Sequence, residues 1–137
     1  MLDTGGLYAA MDENEPLHAA CVAALFSTEP PRVLSPFVLA ELDYLVGQRI
    51  GPDAQLTVLS EVVRGAYQLE PFSSSDVSSA RAVMERHRDL RIGLADASVV
   101  VLAERFHTWD LLSTDQRHFR ILLGPKGKPF RLLPFDD

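Results

Sequence analysis

A chain of 137 residues, 47% of them hydrophobic and 23% charged, has the length of one domain and enough apolar mass for one core, which excludes a disordered chain. A net charge of −6 argues against an indiscriminate grip on a phosphate backbone, and the single cysteine, Cys21, excludes an internal disulfide framework and a thiolate zinc site. No apolar run approaches the ~20 residues of a membrane span, and Met1-Leu2-Asp3 lacks the basic region of a secretory signal, so one cytoplasmic domain over residues 1–137 is expected.

Taken in chain order, Met1-Leu2 is all that precedes Asp3 at the end of a first strand. Leu7 to Met11 reads as a short helix and Pro16 to Phe26 as a second, with Cys21 as a core thiol between alanine and valine. Arg32-Val33-Leu34 reads as a strand. Ser35-Pro36 then gives an N-cap followed by proline at the first helical position, opening a helix that stops near Gly51-Pro52. Pro52 begins another helix to Gly65, and Tyr67 to Phe72 is a strand candidate. Ser73 to Asp76 caps a helix running to about His87, and Gly93 to Phe106 is so apolar that it belongs at the centre. Trp109 to Ser113 and Phe130 to Leu133 are two further strands, separated by the Gly124–Pro129 loop. Strands interleaved with helices imply parallel crossovers and an α/β sandwich.

Most of the 19 acidic residues sit where solvent is expected. Four do not. Asp3 follows Leu2; Glu41 lies between Ala40 and Leu42; Asp96 is the only charge from Ile92 to Ala103; Asp115 closes the run Leu111-Leu112-Ser113-Thr114. An unpaired buried carboxylate either neutralises or finds a cation, and these apolar runs contain no lysine or arginine. Carboxylates converging on a hard divalent ion such as Mg²⁺ would resolve the conflict. Asp3 and Asp115 would then lie at the carboxyl ends of parallel strands, where open α/β sheets place their ligands. Taken singly, Asp96 also suits a first helical turn, Asp115 a cap for a helix starting at Gln116, Glu41 a surface position and Asp3 a frayed terminus. Asp43 competes with Glu41, from which it points about 200° away around the helix; Phe37, Val38 and Leu45 around Glu41 favour it as the inward residue. Two basic groups stand out, Arg81, Arg86, His87, Arg88 and Arg91 in one, Arg117, His118 and Arg120 in the other. The four histidines lack the spacing of a zinc site and are assigned no metal.

Leu2-Asp3-Thr4 with Leu7, Ser35-Pro36 through Ala40-Glu41-Leu42, Leu94-Ala95-Asp96-Ala97-Ser98, and Ser113-Thr114-Asp115 with His118-Phe119 together resemble the PIN domain in order and spacing. More narrowly they resemble the VapC ribonuclease toxins of bacterial toxin–antitoxin pairs, over nearly the whole chain. The resemblance implies a three-layer sandwich with a parallel sheet of about four to five strands. It also implies a Mg²⁺- or Mn²⁺-dependent endoribonuclease, a homodimer, and a VapB antitoxin whose C-terminal segment lies over the active site. Carried over, Asp3, Glu41, Asp96 and Asp115 take the acidic catalytic and metal positions. Thr4, Ser98 and Thr114 become hydroxyls that orient a carboxylate or a water. Arg91 and Arg117 are the side chains expected to neutralise substrate phosphate. Two departures are visible: the strand before Asp3 is clipped, and Gly5 stands where the family more often has serine or asparagine.

One or two divalent ions among these carboxylates would acidify a water for in-line attack on a phosphodiester. Asp3, Glu41 and Asp96 are the firmer ligands and Asp115 the weaker. Two rivals are distinguishable. Asp3-Thr4-Gly5 matches the Asp-Thr-Gly triplet of aspartic proteases, which need an all-β fold that the helical periodicity from Pro36 to Arg49 and Ser75 to Phe106 opposes. A non-catalytic module of the same fold, holding protein or RNA, would show no metal-dependent cleavage.

Overall fold

The computed structural model describes residues 1–136. Four short strands are present: β1 (Val33–Leu34), β2 (Gln68–Leu69), β3 (Asp110–Leu112) and β4 (Arg131–Leu133). They form two parallel ladders, β1 with β2 and β3 with β4. The N-terminal tripeptide joins the two ladders. Leu2 N–H donates to the Val33 carbonyl (3.1 Å) on one side. On the other, Asp3 N–H donates to Leu112 (3.0 Å) and Leu112 N–H to Met1 (3.0 Å). The order across the sheet is therefore β2, β1, the Leu2 segment, β3, β4, with Leu2 bridging Leu112 in parallel sense. The first strand is as short as its sequence implies, a single bridge held on both edges.

Seven α-helices accompany these strands: α1 (Thr4–Met11), α2 (His18–Ser27), α3 (Pro36–Arg49), α4 (Pro52–Val63), α5 (Ser74–Arg86), α6 (Leu94–Phe106) and α7 (Gln116–Phe119). Helix α1 packs on α2 and α3, α3 also on α4 and α6, and α5 on α6. The α/β architecture expected from the alternating pattern is present. One contiguous cluster holds it together, with Leu7, Leu34, Val38, Leu42, Val99, Leu111 and Leu132 fully buried; burying such side chains stabilises by roughly 1.5–3 kcal/mol each.

The start signals correspond to real caps. The Ser35 hydroxyl accepts from Phe37 N–H (3.1 Å), and Ser73 and Asp76 form a reciprocal capping box at the head of α5. Helix α6 is central, as its composition implies. Helix α1 begins at Thr4 rather than Leu7. Gly5 and Gly6 look like helix breakers, yet a Cβ on Gly6 would sit 2.7 Å from the Leu112 carbonyl oxygen. Glycine here lets the helix lie directly against the sheet, and that contact overrides propensity. The second helix starts at His18 rather than Pro16, and the strand expected over Tyr67–Phe72 contracts to two exposed residues at the sheet edge.

Candidate active site

The chain builds outward from the Leu2 segment to β1 and β2, then crosses back to β3 on the other side of Leu2. The strand order thus reverses between Leu2 and β3, and a crevice forms outside the carboxyl ends of strands at such a reversal. Asp3 and Asp115 follow these two segments directly. Asp96, in the first turn of α6, and Glu41, in mid-α3, complete the group.

Asp3 is buried (4% exposed) and accepts a hydrogen bond from the Ser113 hydroxyl (2.7 Å). Burial raises its carboxyl to about 7 against the Ser113 bond, and the charges of Asp96 and Asp115 push it further up. Asp96 is raised to about 6, by burial first, then by the charge of Asp115; nearby His118 opposes the rise and Glu41 adds to it. Asp96 thus lies within electrostatic reach of the other three carboxylates expected from the sequence. Glu41 is exposed rather than inward, because the buried side of its helix carries Val38, Leu42 and Val46, so it stands at the open rim. Asp43 is drawn away by Gln55, whose amide donates to its carboxylate at 3.1 Å.

Two residues assigned no role among the carboxylates from the sequence, His118 being one of the histidines assigned no metal, belong to this cluster. Ser113, fully buried, donates to Asp3 and accepts from the Asp115 N–H (3.0 Å), tying the first and last carboxylates together. His118 Nδ1 lies 2.8 Å from an Asp115 oxygen and 3.3 Å from an Asp96 oxygen. Both had a visible signal: a polar residue ending the apolar run before Asp115, and a histidine three residues beyond a helix cap. The cap itself is present, with His118 N–H donating to Asp115 (3.0 Å). Asp115 therefore caps α7 with one oxygen and faces the cluster with the other.

The donor set suits a hard cation. Three aspartates lie close together with no lysine or arginine ion-paired to them among the described residues, and burial pushes the carboxyls of Asp3 and Asp96 far above their ordinary range.

The PIN domain family profile matches residues 1–122. Ribonuclease VapC26 of Mycobacterium tuberculosis is 42% identical over 134 residues, covering 98% of this chain and 99% of that protein. The chain belongs to the PIN-domain family, among its VapC-type members. The crystal structure of Mycobacterium tuberculosis VapC20, a sarcin-ricin loop cleaving toxin, superposes with a TM-score of 0.78 at 17% identity, covering 84% of this chain and 88% of that one.

In this PIN domain the hydroxyls expected to orient carboxylates are placed differently from one another. Ser98 is committed elsewhere: it donates to the Ala95 carbonyl (2.6 Å) and meets Ser35 (2.6 Å), joining the head of α3 to α6. It faces away from the carboxylates because the first turn of α6 points Asp96 and Ser98 in different directions. Thr4 is buried beside Asp3 with no partner for its hydroxyl among the described residues. Thr114 packs over Gly5, where a Cβ would come within 2.4 Å of its hydroxyl oxygen. The glycine that departs from the family pattern is the one that makes room for this threonine. Arg91 and Arg117 are exposed and make no ion pair among the described residues. The Asp-Thr-Gly triplet enters a helix, not the all-β setting of an aspartic protease. No helix among the described residues is long and apolar enough to cross a membrane.

A cavity of about 360 Å³ opens beside Gly5 and Thr114, walled by Tyr8, Leu17, Leu45 and Arg49. Another, of about 350 Å³, lies at the opposite sheet edge, where Arg131 is bound to Asp110 and Arg32 to the Leu25 and Thr28 carbonyls. Its arginines are already occupied, so the carboxylate edge is the better place for chemistry.

Proposed function

We propose that this chain is a divalent-cation-dependent endoribonuclease, the toxin of a VapBC-type pair. The observation that carries the reading is the grouping of Asp96 and Asp115 with His118, and of buried Asp3 with Asp115 through Ser113, at the strand-order reversal, in a chain 42% identical to a ribonuclease across its length. Asp3, Glu41, Asp96 and Asp115 would hold Mg²⁺ or Mn²⁺. Such an ion supplies acidification of water near neutral pH and stabilisation of charge developing on phosphodiester oxygens.

The chain's own residues do the positioning. Ser113 fixes Asp3 and the backbone of Asp115 relative to each other. The helix cap fixes Asp115 from the other side, and Arg91 and Arg117 are available for substrate phosphates. An acidic crevice repels RNA until a cation enters, so binding as well as cleavage depends on the ion. A VapB antitoxin, a homodimer and a cytoplasmic setting belong to the same proposal.

The test is cleavage of cellular RNA by purified protein with Mg²⁺ or Mn²⁺ and with EDTA. Cleavage and RNA affinity both fall on chelation, and Asp96→Asn cleaves at least about 10²-fold more slowly. Full activity of that variant, or RNA affinity untouched by chelation, overturns the proposal; a folded wild type that never cuts RNA favours a binding module.

A further inference from the structure

We propose that His118 is a nitrogen ligand of the divalent cation held by Asp96 and Asp115, and that this imidazole biases the site toward Mn²⁺ over Mg²⁺. The proposal rests on the cation-binding reading above and settles which of the two ions the chain's own residues prefer.

The distances are those of ligands sharing one ion. Cis ligands about 2.1 Å from an octahedral cation lie about 3.0 Å apart. His118 Nδ1 is 2.8 Å from Asp115 Oδ2 and 3.3 Å from Asp96 Oδ2, and one donor atom from each of the three residues lies within 4.8 Å of the others. The backbone holds the ring there, since His118 N–H donates to Asp115 Oδ1 (3.0 Å) and only 20% of the side chain is exposed. Without a cation, Nδ1 serves as the hydrogen-bond partner of Asp115. With the ring proton on Nε2, the same atom presents a lone pair to the space between the two carboxylates.

Chemistry then separates the two ions. Mg²⁺ strongly favours oxygen and sheds its waters reluctantly, whereas imidazole suits later divalent metals and Mn²⁺ accepts mixed oxygen and nitrogen sets. A site of Asp3, Asp96 and Asp115 alone discriminates weakly. Adding one nitrogen gives Mn²⁺ a ligand that Mg²⁺ uses poorly.

The experiment titrates Mn²⁺ and Mg²⁺ separately into the full chain and into His118→Asn by calorimetry. It also records pulsed electron paramagnetic resonance of the Mn²⁺-loaded proteins, which detects a directly bound nitrogen through its nuclear coupling. The wild type shows the nitrogen coupling and His118→Asn does not. The variant loses about 10–100-fold in Mn²⁺ affinity, the scale on which a metal site responds to loss of one supporting group, while its Mg²⁺ affinity changes far less. Asparagine retains a donor for Asp115, so a merely orienting histidine would leave the Mn²⁺-to-Mg²⁺ ratio unchanged, and that result overturns the proposal. Mn²⁺ binding without nitrogen coupling in the wild type overturns His118 ligation and leaves the carboxylate site standing. Failure of the wild type to bind either ion overturns both. The wild-type spectrum decides the point even where the substitution disturbs folding.

Discussion

The two ends of β3 handle the same chemical group in opposite ways. At its start, Asp110 meets the guanidinium of Arg131 through two bonds of 2.8 and 2.9 Å, which hold its carboxyl below the usual range. Beyond its end, Asp3, Asp96 and Asp115 crowd together, and burial raises Asp3 to about 7 and Asp96 to about 6. One edge of the sheet closes its charges with arginine. The other sets no lysine or arginine against its carboxylates among the described residues, so it carries a standing demand for a cation. A structure optimised only for stability would have treated both ends like the first.

The sharpest way to break this contrast is to remove charge at the demanding end. Asp96→Asn lowers RNA cleavage by about 10²-fold or more, the scale of losing one electrostatic group aimed at developing charge; initial rates at saturating Mn²⁺ measure it. The same logic predicts that the loss of function comes with a gain in stability. Holding the Asp3 carboxyl at about 7 rather than 3.8 corresponds to roughly 4 kcal/mol once the group is forced to ionise. Asp3→Asn is therefore inactive but more stable than the wild type in EDTA at pH 8, as denaturant midpoints will show.

The pH profile of the metal-free protein has a sign that follows from the same two groups. Below about pH 4 both carboxyls are protonated in the folded and unfolded chains, and no penalty exists. Between about pH 4 and 7 the unfolded chain has released these protons and the folded chain has kept them, so stability falls as pH rises. Asp136 acts oppositely. Hydrogen-bonded by Arg120 and lowered to about 2, it stabilises above about pH 4 and loses that contribution as pH falls toward 2. Melting temperature in EDTA thus peaks near pH 4–5 and declines toward pH 6, above which the buried Met1 amine, lowered to about 6, adds stability as pH rises and offsets the Asp3 penalty. A flat profile between pH 4 and 6 would contradict the uncompensated cluster.

Ser113→Ala probes how the demanding end is held in place. The substitution strips Asp3 of a hydrogen bond and leaves the Asp115 N–H without its acceptor. A loss of about 1–3 kcal/mol is expected from the unmet groups, together with about 10–100-fold weaker Mn²⁺ binding. Ser98→Ala, whose hydroxyl ties α3 to α6 instead, leaves the Mn²⁺ affinity unchanged.

Much of this was legible in the sequence because the relevant signals are local. Ser35-Pro36 and Ser73 to Asp76 specify helix starts through neighbouring backbone atoms, and acids inside apolar runs are conspicuous wherever they fold. What was hidden depends on contacts between distant segments. The helix expected from Leu7 starts at Thr4, because Gly6 lets its first turn lie against Leu112 of β3, a contact that local sequence does not reveal. Ser98 looked suited to the site by sequence proximity to Asp96, whereas Ser113 is bound to Asp3, 110 residues away. His118 carried a cap-spacing signal but no zinc pattern, and only the convergence of α6 with α7 brings it between two carboxylates.

The smallest expected effect belongs to the satisfied end. Asp110 and Arg131 are about half exposed, at 47% and 44% of their side chains, so solvent screens their attraction. A double-mutant cycle with Asp110→Asn and Arg131→Gln gives a coupling of about 0.2–1 kcal/mol that shrinks at high salt. RNA cleavage and Mn²⁺ affinity stay unchanged in all three variants. A coupling of several kcal/mol, or a change in Mn²⁺ affinity, would show that the two ends of β3 are energetically linked. The small value is expected because what distinguishes them is local: a guanidinium is bound to Asp110, and among the described residues none is paired with Asp3.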